Sequence, residues 1–474
     1  MEDWAEDEFD EMSLSDIVGL VQQYEQAQKE AKSLHLDEES YERIIQFYQE
    51  NREFKRAVSV ASSALERYPF SPGFFILKAE SLAEQSHFDE ALQALELAET
   101  LDATEITIFL IRADIYLWTG KHSDALVQLE KARSYAELPE DLTDIYLLQA
   151  DIYEDLELYD NVMKALQNAA KADPQNEEAL NRLWFSVEIT SRFEESEKFH
   201  RTLIDDNPYN FLAWFNLGHA LYNLDKTDEA LEAFGYVTAI EESFDPALIF
   251  AGDIYFERKD FVKALELYME GMRVNKPYKE TFYKAAECYE QMHDFQKARY
   301  YLRKATVIDS DYDDAFFKIG ETYMAEENYA QAVQAFERTI KIAPENSDYL
   351  AAAADAALLN EDPEKALEFL RKAIEIEPNN KLLYINLASA YFGMEDLENC
   401  VNTMTSTAKL FPNSADLYYI NSVFLFQSGM RQEAFVSLQT ALEMNIEEVN
   451  IIFQMDASLR EDAEVQLLLE QYGL

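Results

Sequence analysis

Residues 211–244, FLAWFNLGHALYNLDKTDEALEAFGYVTAIEESF, decide the fold, because their pattern returns every 34 residues along the chain. The tripeptide Asp-Ile-Tyr shows the same period, since its copies at 151–153 and 253–255 are three periods apart. With this spacing and one three-residue insertion near Pro139, the chain divides into twelve units. They begin at residues 38, 72, 106, 143, 177, 211, 245, 279, 313, 347, 381 and 415.

Small residues recur at two positions of each unit. The eighth residue is Gly or Ala in nine units, as at Gly218, and the twentieth is Ala in nine, as at Ala230. Such residues let two helices pack closely. Pro stands at the thirty-second position in half of the units, where it ends a helix because it has no amide hydrogen. Each unit is therefore predicted to be a helical hairpin that buries its apolar face by stacking on its neighbours.

These columns resemble the tetratricopeptide repeat over residues 38–448. In residues 211–244 the family's places are filled by Trp214, Leu217, Gly218, Ala230 and Phe234. The resemblance implies an all-α fold, an α-solenoid in which about twelve tetratricopeptide hairpins form a right-handed superhelix with terminal capping helices. It also implies a function in protein binding, because the inner groove of such a superhelix holds peptides or partner helices.

The ends of the chain depart from the repeat, and five segments are predicted. These are an acidic disordered tail at 1–13, an N-terminal capping helix at 14–37, units 1–3 at 38–142, units 4–12 at 143–448 and C-terminal capping helices at 449–474. The tail is too poor in aliphatic residues to bury a core. It is either a solubilising extension or a short docking motif.

The least regular packing is predicted between residues 130 and 200. The insertion lies there, and Trp184 occupies the small eighth position of its unit. This region is either tolerated variation or a hinge or docking step.

Charge restricts the possible partners. The net charge is −52, with 92 acidic and 40 basic side chains, so binding to nucleic acid or to an anionic membrane surface is disfavoured. The N-terminus shows no signal-peptide pattern, and no apolar run is long enough to span a membrane. We expect a cytoplasmic protein.

The sequence carries no complete motif for catalysis or for metal or cofactor binding. The chain has no phosphate-binding glycine loop, zinc motif or nucleophile elbow. The alternating acids at 309–313 resemble the start of a calcium loop, but Asp314 replaces the required Gly and Gly320 the required Glu. We expect neither an enzyme nor a cofactor or metal.

In the tetratricopeptide family the first helix of each hairpin lines the groove through its second, fifth, ninth and twelfth residues. Here the ninth is acidic in seven units, and the fifth and twelfth are mostly large and apolar. The predicted groove residues are Glu80, Asp114, Asp151, Phe215, Tyr222, Ile249, Asp253, Tyr283, Glu287, Phe317, Glu321 and Asp355.

This groove is predicted to bind a basic, partly apolar segment of a partner protein. Two alternatives stay open at this point. The acids could be ordinary surface charge and the apolar residues could pack against neighbouring repeats, or the protein could be a structural subunit or assembly factor held by its ends or convex face. An adaptor for chaperone tails is disfavoured, because an acidic groove repels a terminal carboxylate. The sequence leaves self-association undecided.

Overall fold

A computed structural model describes residues 14–30 and 34–474, and all regular secondary structure in these residues is helical. The predicted acidic tail lies outside the described residues. The chain forms two compact units, one ending at Glu242 and the other beginning at Ser243. The predicted division between residues 142 and 143 stays a prediction.

The first unit contains helix α1 and hairpins 1 to 6, each made of a first and a second helix. The helices are α1 (Leu14–Lys29), α2 (Glu38–Glu50), α3 (Phe54–Arg67), α4 (Pro72–Ala83), α5 (Phe88–Leu101), α6 (Ile106–Trp118), α7 (His122–Tyr135), α8 (Pro139–Asp155), α9 (Tyr159–Ala172), α10 (Glu177–Thr190), α11 (Phe193–Asp206), α12 (Phe211–Asn223) and α13 (Thr227–Ile240).

The second unit contains hairpins 7 to 12 and two terminal helices. The helices are α14 (Asp245–Glu257), α15 (Phe261–Val274), α16 (Lys279–Gln291), α17 (Phe295–Ile308), α18 (Asp313–Ala325), α19 (Tyr329–Ile342), α20 (Ser347–Leu359), α21 (Pro363–Ile376), α22 (Lys381–Gly393), α23 (Leu397–Leu410), α24 (Ala415–Gln427), α25 (Arg431–Met444), α26 (Asn450–Met455) and α27 (Ala463–Gln471). Short 3-10 helices at Ile446–Val449 and Ala457–Arg460 flank α26.

The first helices begin at the predicted residues with one exception, α8, which begins at Pro139 rather than at residue 143. Proline suits the first helical position because its fixed φ is already helical. The amide N–H of Leu138 donates to Asp141 over 3.2 Å and closes the helix start. The three-residue insertion therefore lengthens a helix rather than a loop.

Helix α1 is shorter than the predicted segment 14–37, since it ends at Lys29. Residues 34–37, directly before α2, form no helix, yet Leu36 is buried in the first core cluster with Val21 and Tyr24. The hydroxyl of Tyr68 donates to the carbonyl oxygen of Leu36 over 3.0 Å. The entry into hairpin 1 is thus fixed by packing rather than by a longer helix.

The turn inside every hairpin contains one residue in the left-handed region, always the fifteenth of its unit. The residues are Arg52, Ser86, Gly120, Glu157, Ser191, Asp225, Lys259, His293, Glu327, Glu361, Glu395 and Gly429. A left-handed residue after the helix lets the next amides bond back to the last carbonyls. In hairpin 1, for example, the N–H of Glu53 donates to the carbonyl oxygen of Tyr48 over 2.7 Å.

The small eighth position makes room for the residue at position 24 of the same hairpin. A Cβ added at Gly218, Gly252 or Gly320 would lie 2.6, 2.5 or 2.3 Å from the ring of Phe234, Tyr268 or Phe336, respectively. All three rings are buried. In these three hairpins, the two helices are therefore held at a spacing that one added methyl group would disturb.

Hairpin 5 departs from this arrangement, as predicted for residues 130–200. It has Trp184 at position 8 and His200 at position 24, and its two helices touch each other less than those of any other hairpin. Large residues at both places keep the axes apart. The predicted irregularity is confirmed here, whereas its use as a hinge stays a prediction.

The C-terminal helices cover the last hairpin. Ile452, Val465 and Leu469 are buried in one cluster with Tyr419 and Val423 of α24. The guanidinium of Arg431 holds this cap from the side, through Asp462 at 2.9 Å and Glu464 at 2.7 Å. The end of the stack is thereby closed by a short apolar face with charged groups outside.

Within the ranges that the structure describes, no helix has both the length and the apolar surface needed to cross a bilayer.

Candidate functional site

The predicted acids at position 9 form what we call the carboxylate column: Glu80, Asp114, Asp151, Asp253, Glu287, Glu321 and Asp355. The first three lie in the first unit and the other four in the second. All seven are half-buried or exposed. Their side chains are therefore accessible to a ligand, although several are only partly exposed to solvent.

In the second unit, lysines from position 6 of the hairpins neutralise part of the column. Nζ of Lys284 lies 2.7 Å from Oδ1 of Asp253, which also accepts from the hydroxyl of Tyr268 over 2.7 Å. Nζ of Lys318 lies 2.9 Å from Oε2 of Glu321 and 3.5 Å from Glu290. These carboxylates already have a cation within the chain.

The ion pairs Asp151–Arg182 and Asp253–Lys284 show a simple rule: position 9 of one hairpin faces position 6 of the next. The two positions are 31 residues apart, or 34 across the three-residue insertion between hairpins 3 and 4. Arg182 follows the rule in the first unit, with its guanidinium 2.6 Å from Asp151. The corresponding residues for Glu80 and Asp114 are Ile111 and Leu148, which carry no charge. We call Glu80 and Asp114 the open pair.

The open pair is electrostatically strained. The pKa of Asp114 is raised to about 7, first by burial and then by the nearby carboxylates of Asp151, Glu84 and Glu80. Burial also raises the pKa of Glu80, although Gln49 donates a hydrogen bond to it over 3.0 Å. Among the described residues, no Lys or Arg nitrogen lies within ion-pair distance of either carboxylate.

Burial raises the pKa of three further column members, Asp151, Glu287 and Asp355. For Asp151 and Glu287, neighbouring cations act in the opposite direction. The described contacts give Asp355 no such cation. A positively charged ligand would be most favourable beside the members that lack one.

The predicted apolar groove residues are partly used in packing between repeats. Phe215 is buried, with its ring centroid 6.0 Å from that of Phe234. Phe317 packs between Phe336 and Tyr349, at centroid distances of 5.3 and 4.9 Å. The remaining predicted groove residues are half-buried: Tyr222, Ile249 and Tyr283. The groove floor therefore serves both the core and the surface.

A cavity of about 440 Å³ opens beside hairpin 5. Its walls come from Val162 and Leu166 of α9, Trp184 and Ile189 of α10, and Phe215 of α12. It lies where the two helices of hairpin 5 are separated by large side chains. It is the part of the candidate site that the sequence columns do not reveal.

The described residues also show the state of the His, Cys, Asp and Glu side chains that could bind a metal or act as nucleophiles. In the described ranges, no group of three His, Cys, Asp or Glu side chains is placed to hold a metal ion. Burial raises the pKa of the Cys288 thiol to about 12 and that of Cys400 to about 11. Both thiols are therefore protonated at neutral pH and are poor nucleophiles.

Sequence models of the tetratricopeptide repeat match several parts of the chain. The matched residues are 46–106, 143–176, 212–242, 317–381 and 357–421. No curated protein sequence matches the chain.

Solved structures of repeat proteins resemble this fold at low sequence identity. YrrB, a TPR protein with an unusual peptide-binding site, is 22% identical, covers 39% of this chain and 95% of its own, and has a TM-score of 0.34. A chain of the APC/C hetero-tetramer Cut9-Hcn1 is 12% identical, covers 90% of this chain and 99% of its own, and has a TM-score of 0.36. A tetratricopeptide repeat protein from Parabacteroides merdae is 13% identical, covers 52% of this chain and 98% of its own, and has a TM-score of 0.37.

Proposed function

Because the chain is a tetratricopeptide-repeat protein, we propose that it is a non-catalytic scaffold or adaptor that binds a basic, partly apolar segment of a partner protein. Protein binding is the use that the repeat fold supports. The basic character of the partner is the finer part of the proposal. We propose the twelve predicted groove residues as its contact surface.

The observation that carries this proposal is the open pair. These two partly buried carboxylates of successive hairpins have no cation of their own, burial raises the pKa of both, and Glu80 adds to the raised pKa of Asp114. A Lys or Arg side chain of a partner would remove that cost and form charge-assisted hydrogen bonds. The net charge of −52 adds long-range attraction for such a segment and repulsion for nucleic acid.

A direct test uses a defined ligand, the basic probe Gly-Lys-Lys-Trp-Lys-Lys-Gly, and its acidic counterpart Gly-Glu-Glu-Trp-Glu-Glu-Gly. Binding to the full chain is measured by fluorescence anisotropy over a range of salt concentrations. We expect binding of the basic probe only, weakening as salt rises.

Charge reversal separates the groove from general surface attraction. The variant Glu80→Lys with Asp114→Lys should lose most binding, whereas Glu66→Lys with Glu96→Lys, on the exposed faces of α3 and α5, should lose little. Both variants change the net charge equally. If the two variants weaken binding alike, the column is only surface charge and the proposal is wrong.

One observation favours the alternative of a structural subunit held through the second helices. Helix α17 has four cations and no acid, although the chain as a whole is strongly acidic. Tyr300 and Val307 on this helix are 53% and 85% exposed. Crosslinks from an affinity-purified complex that concentrate on α17 rather than on the first helices would support this alternative.

A further inference from the structure

The carboxylate column of the first unit ends at hairpin 4, and the last two hairpins of that unit have no acid at position 9. Position 9 is Phe185 in hairpin 5 and His219 in hairpin 6. Phe185 is 53% exposed, and Ile189, one turn later on α10, is 42% exposed. Both residues belong to the lining of the 440 Å³ cavity. The charged column therefore meets an open apolar recess at this point.

The recess has the size and lining of a binding pocket rather than of a packing gap. Its volume lies in the range of about 300–1,000 Å³ that is usual for ligand pockets. Its walls are mainly aliphatic and aromatic, which favours a large apolar guest.

One polar group in the lining has no internal partner. The side chain of Ser186 is buried, and in the described part of the chain nothing hydrogen-bonds to its Oγ. Buried hydroxyls nearly always have a partner, so this one calls for an explanation. A small movement of the cavity wall would bring this hydroxyl within reach of the polar edge of an indole or a phenol whose ring fills the apolar space.

The charges around the recess define what flanks the guest. Arg182 at its rim is already held by Asp151 at 2.6 Å, Glu154 at 3.0 Å and Glu178 at 3.2 Å. The three carboxylates carry three negative charges against the one positive charge of Arg182, and each is at least 44% exposed. The rim therefore carries net negative charge and favours Lys or Arg beside the guest.

We propose that the cavity beside hairpin 5 receives one tryptophan or tyrosine side chain of the partner, flanked by basic residues. This inference rests on the proposed function and deepens it, because it assigns the apolar part of the ligand to one place. The partner's cations would lie on both sides, toward Asp114 and Asp151 and toward the acidic rim.

The test compares the basic probe with a matched peptide, Gly-Lys-Lys-Ala-Lys-Lys-Gly, on the full chain. We expect the tryptophan peptide to bind at least about tenfold more tightly, as burial of one large apolar side chain implies. If the two peptides bind the full chain equally, the cavity holds no anchor. If neither peptide binds better than the acidic probe, the proposed function itself fails, and the two failures are thus distinguished.

Replacing Phe185 with an acid tests whether the affinity gained from tryptophan arises at this cavity. Phe185→Glu places an acidic residue at position 9, as in seven other hairpins, on an exposed site that does not threaten folding. It should bring the ratio of the two affinities close to one without weakening the alanine peptide. Phe70→Glu, at an 80% exposed site of the same unit, is the control and should leave the ratio unchanged.

Ile189→Ser gives a second, independent change in the lining. It should lower the affinity for the tryptophan peptide several-fold and leave the alanine peptide unaffected. A ratio that survives both Phe185→Glu and Ile189→Ser would show that the tryptophan binds elsewhere, and would overturn the inference.

Discussion

Hairpins 2 and 3 and hairpins 7 to 9 carry the same carboxylate column, but they treat its charge differently. In hairpins 7 to 9, Lys284 and Lys318 lie within 2.9 Å of Asp253 and Glu321. In hairpins 2 and 3, no Lys or Arg of the described residues acts on Glu80 or Asp114, and position 6 of the following hairpin is Ile111 or Leu148. The difference teaches that an acidic column alone does not define a binding surface. The two regions differ in whether a lysine lies beside the carboxylate, supplied by the next hairpin for Asp253 and by the same helix for Glu321.

The largest expected effect is on ligand binding. Neutralising the open pair with Glu80→Gln and Asp114→Asn should weaken the basic probe roughly tenfold or more, because each carboxylate loses a charge-assisted contact. Neutralising Asp253 and Glu321 in the same way should change the affinity only about twofold, since Lys284 and Lys318 already occupy them. Titrations at one salt concentration measure both, and equal losses would remove the distinction between the two regions.

Removing a lysine that pairs with the carboxylate column should destabilise the fold. Lys284→Met leaves Asp253 without its cation at a half-buried site, and should lower the free energy of unfolding by about 1–2 kcal/mol at pH 8. Lys297→Met is the matched control, because its 2.8 Å pair with Asp294 is more exposed and its loss should change stability much less. Urea unfolding of both variants measures the contrast, and equal losses would mean that the pair at Asp253 is ordinary surface charge.

The open pair should itself destabilise the fold at high pH. The folded-state pKa of Asp114, about 7, is above its ordinary value of 3.8, so the folded chain holds the proton more tightly. Stability is therefore lost as pH rises from 3.8 through 7.

Asp114→Asn removes this penalty and should raise the free energy of unfolding by about 1 kcal/mol at pH 8, allowing for partial solvation. Most of the gain should be absent at pH 5. Urea unfolding at the two pH values measures it. A variant that is less stable than the parent at pH 8 would show that the charge of Asp114 is compensated in the folded protein.

The smallest effect comes from closing the open pair. Leu148→Lys puts a cation at position 6, where the rule directs it toward Asp114. The pKa of Asp114 should fall toward its ordinary range, and the basic probe should bind about fivefold more weakly. Carboxyl NMR titration and anisotropy measure the two changes, with Leu148→Met as the uncharged control. An unchanged pKa would mean that the two positions do not face each other in this hairpin.

The hairpin pattern was largely predictable, because a period of 34 residues fixes where each first helix begins. The predicted start of α8 was wrong because the inserted residues extend the helix. Pro139 at the first helical position and Asp141 two residues later could have indicated this. The length of α1 was also wrong, since packing of Leu36 rather than helical periodicity sets the entry to hairpin 1.

The candidate site was predictable only in part. Position 9 stands out in the sequence, but its partner at position 6 lies 31 residues away and becomes meaningful only when helices stack. Arg182, Lys284 and Lys318 could have been found by comparing those two columns across successive units. The cavity could not, because it arises from how far Trp184 separates two helices. Groove binding and a cytoplasmic location stay predictions.

The central claim is that a basic ligand neutralises the open pair, and proton release on binding tests it most directly. Asp114 is half protonated near pH 7, so a cation that binds its ionised form should expel up to about half a proton. Calorimetric titration of the full chain with the basic probe at pH 7, in buffers of different ionisation enthalpy, measures this release. We predict release by the parent chain and its loss in Asp114→Asn. Buffer-independent heats for the parent, or the same release from both chains, would contradict the account.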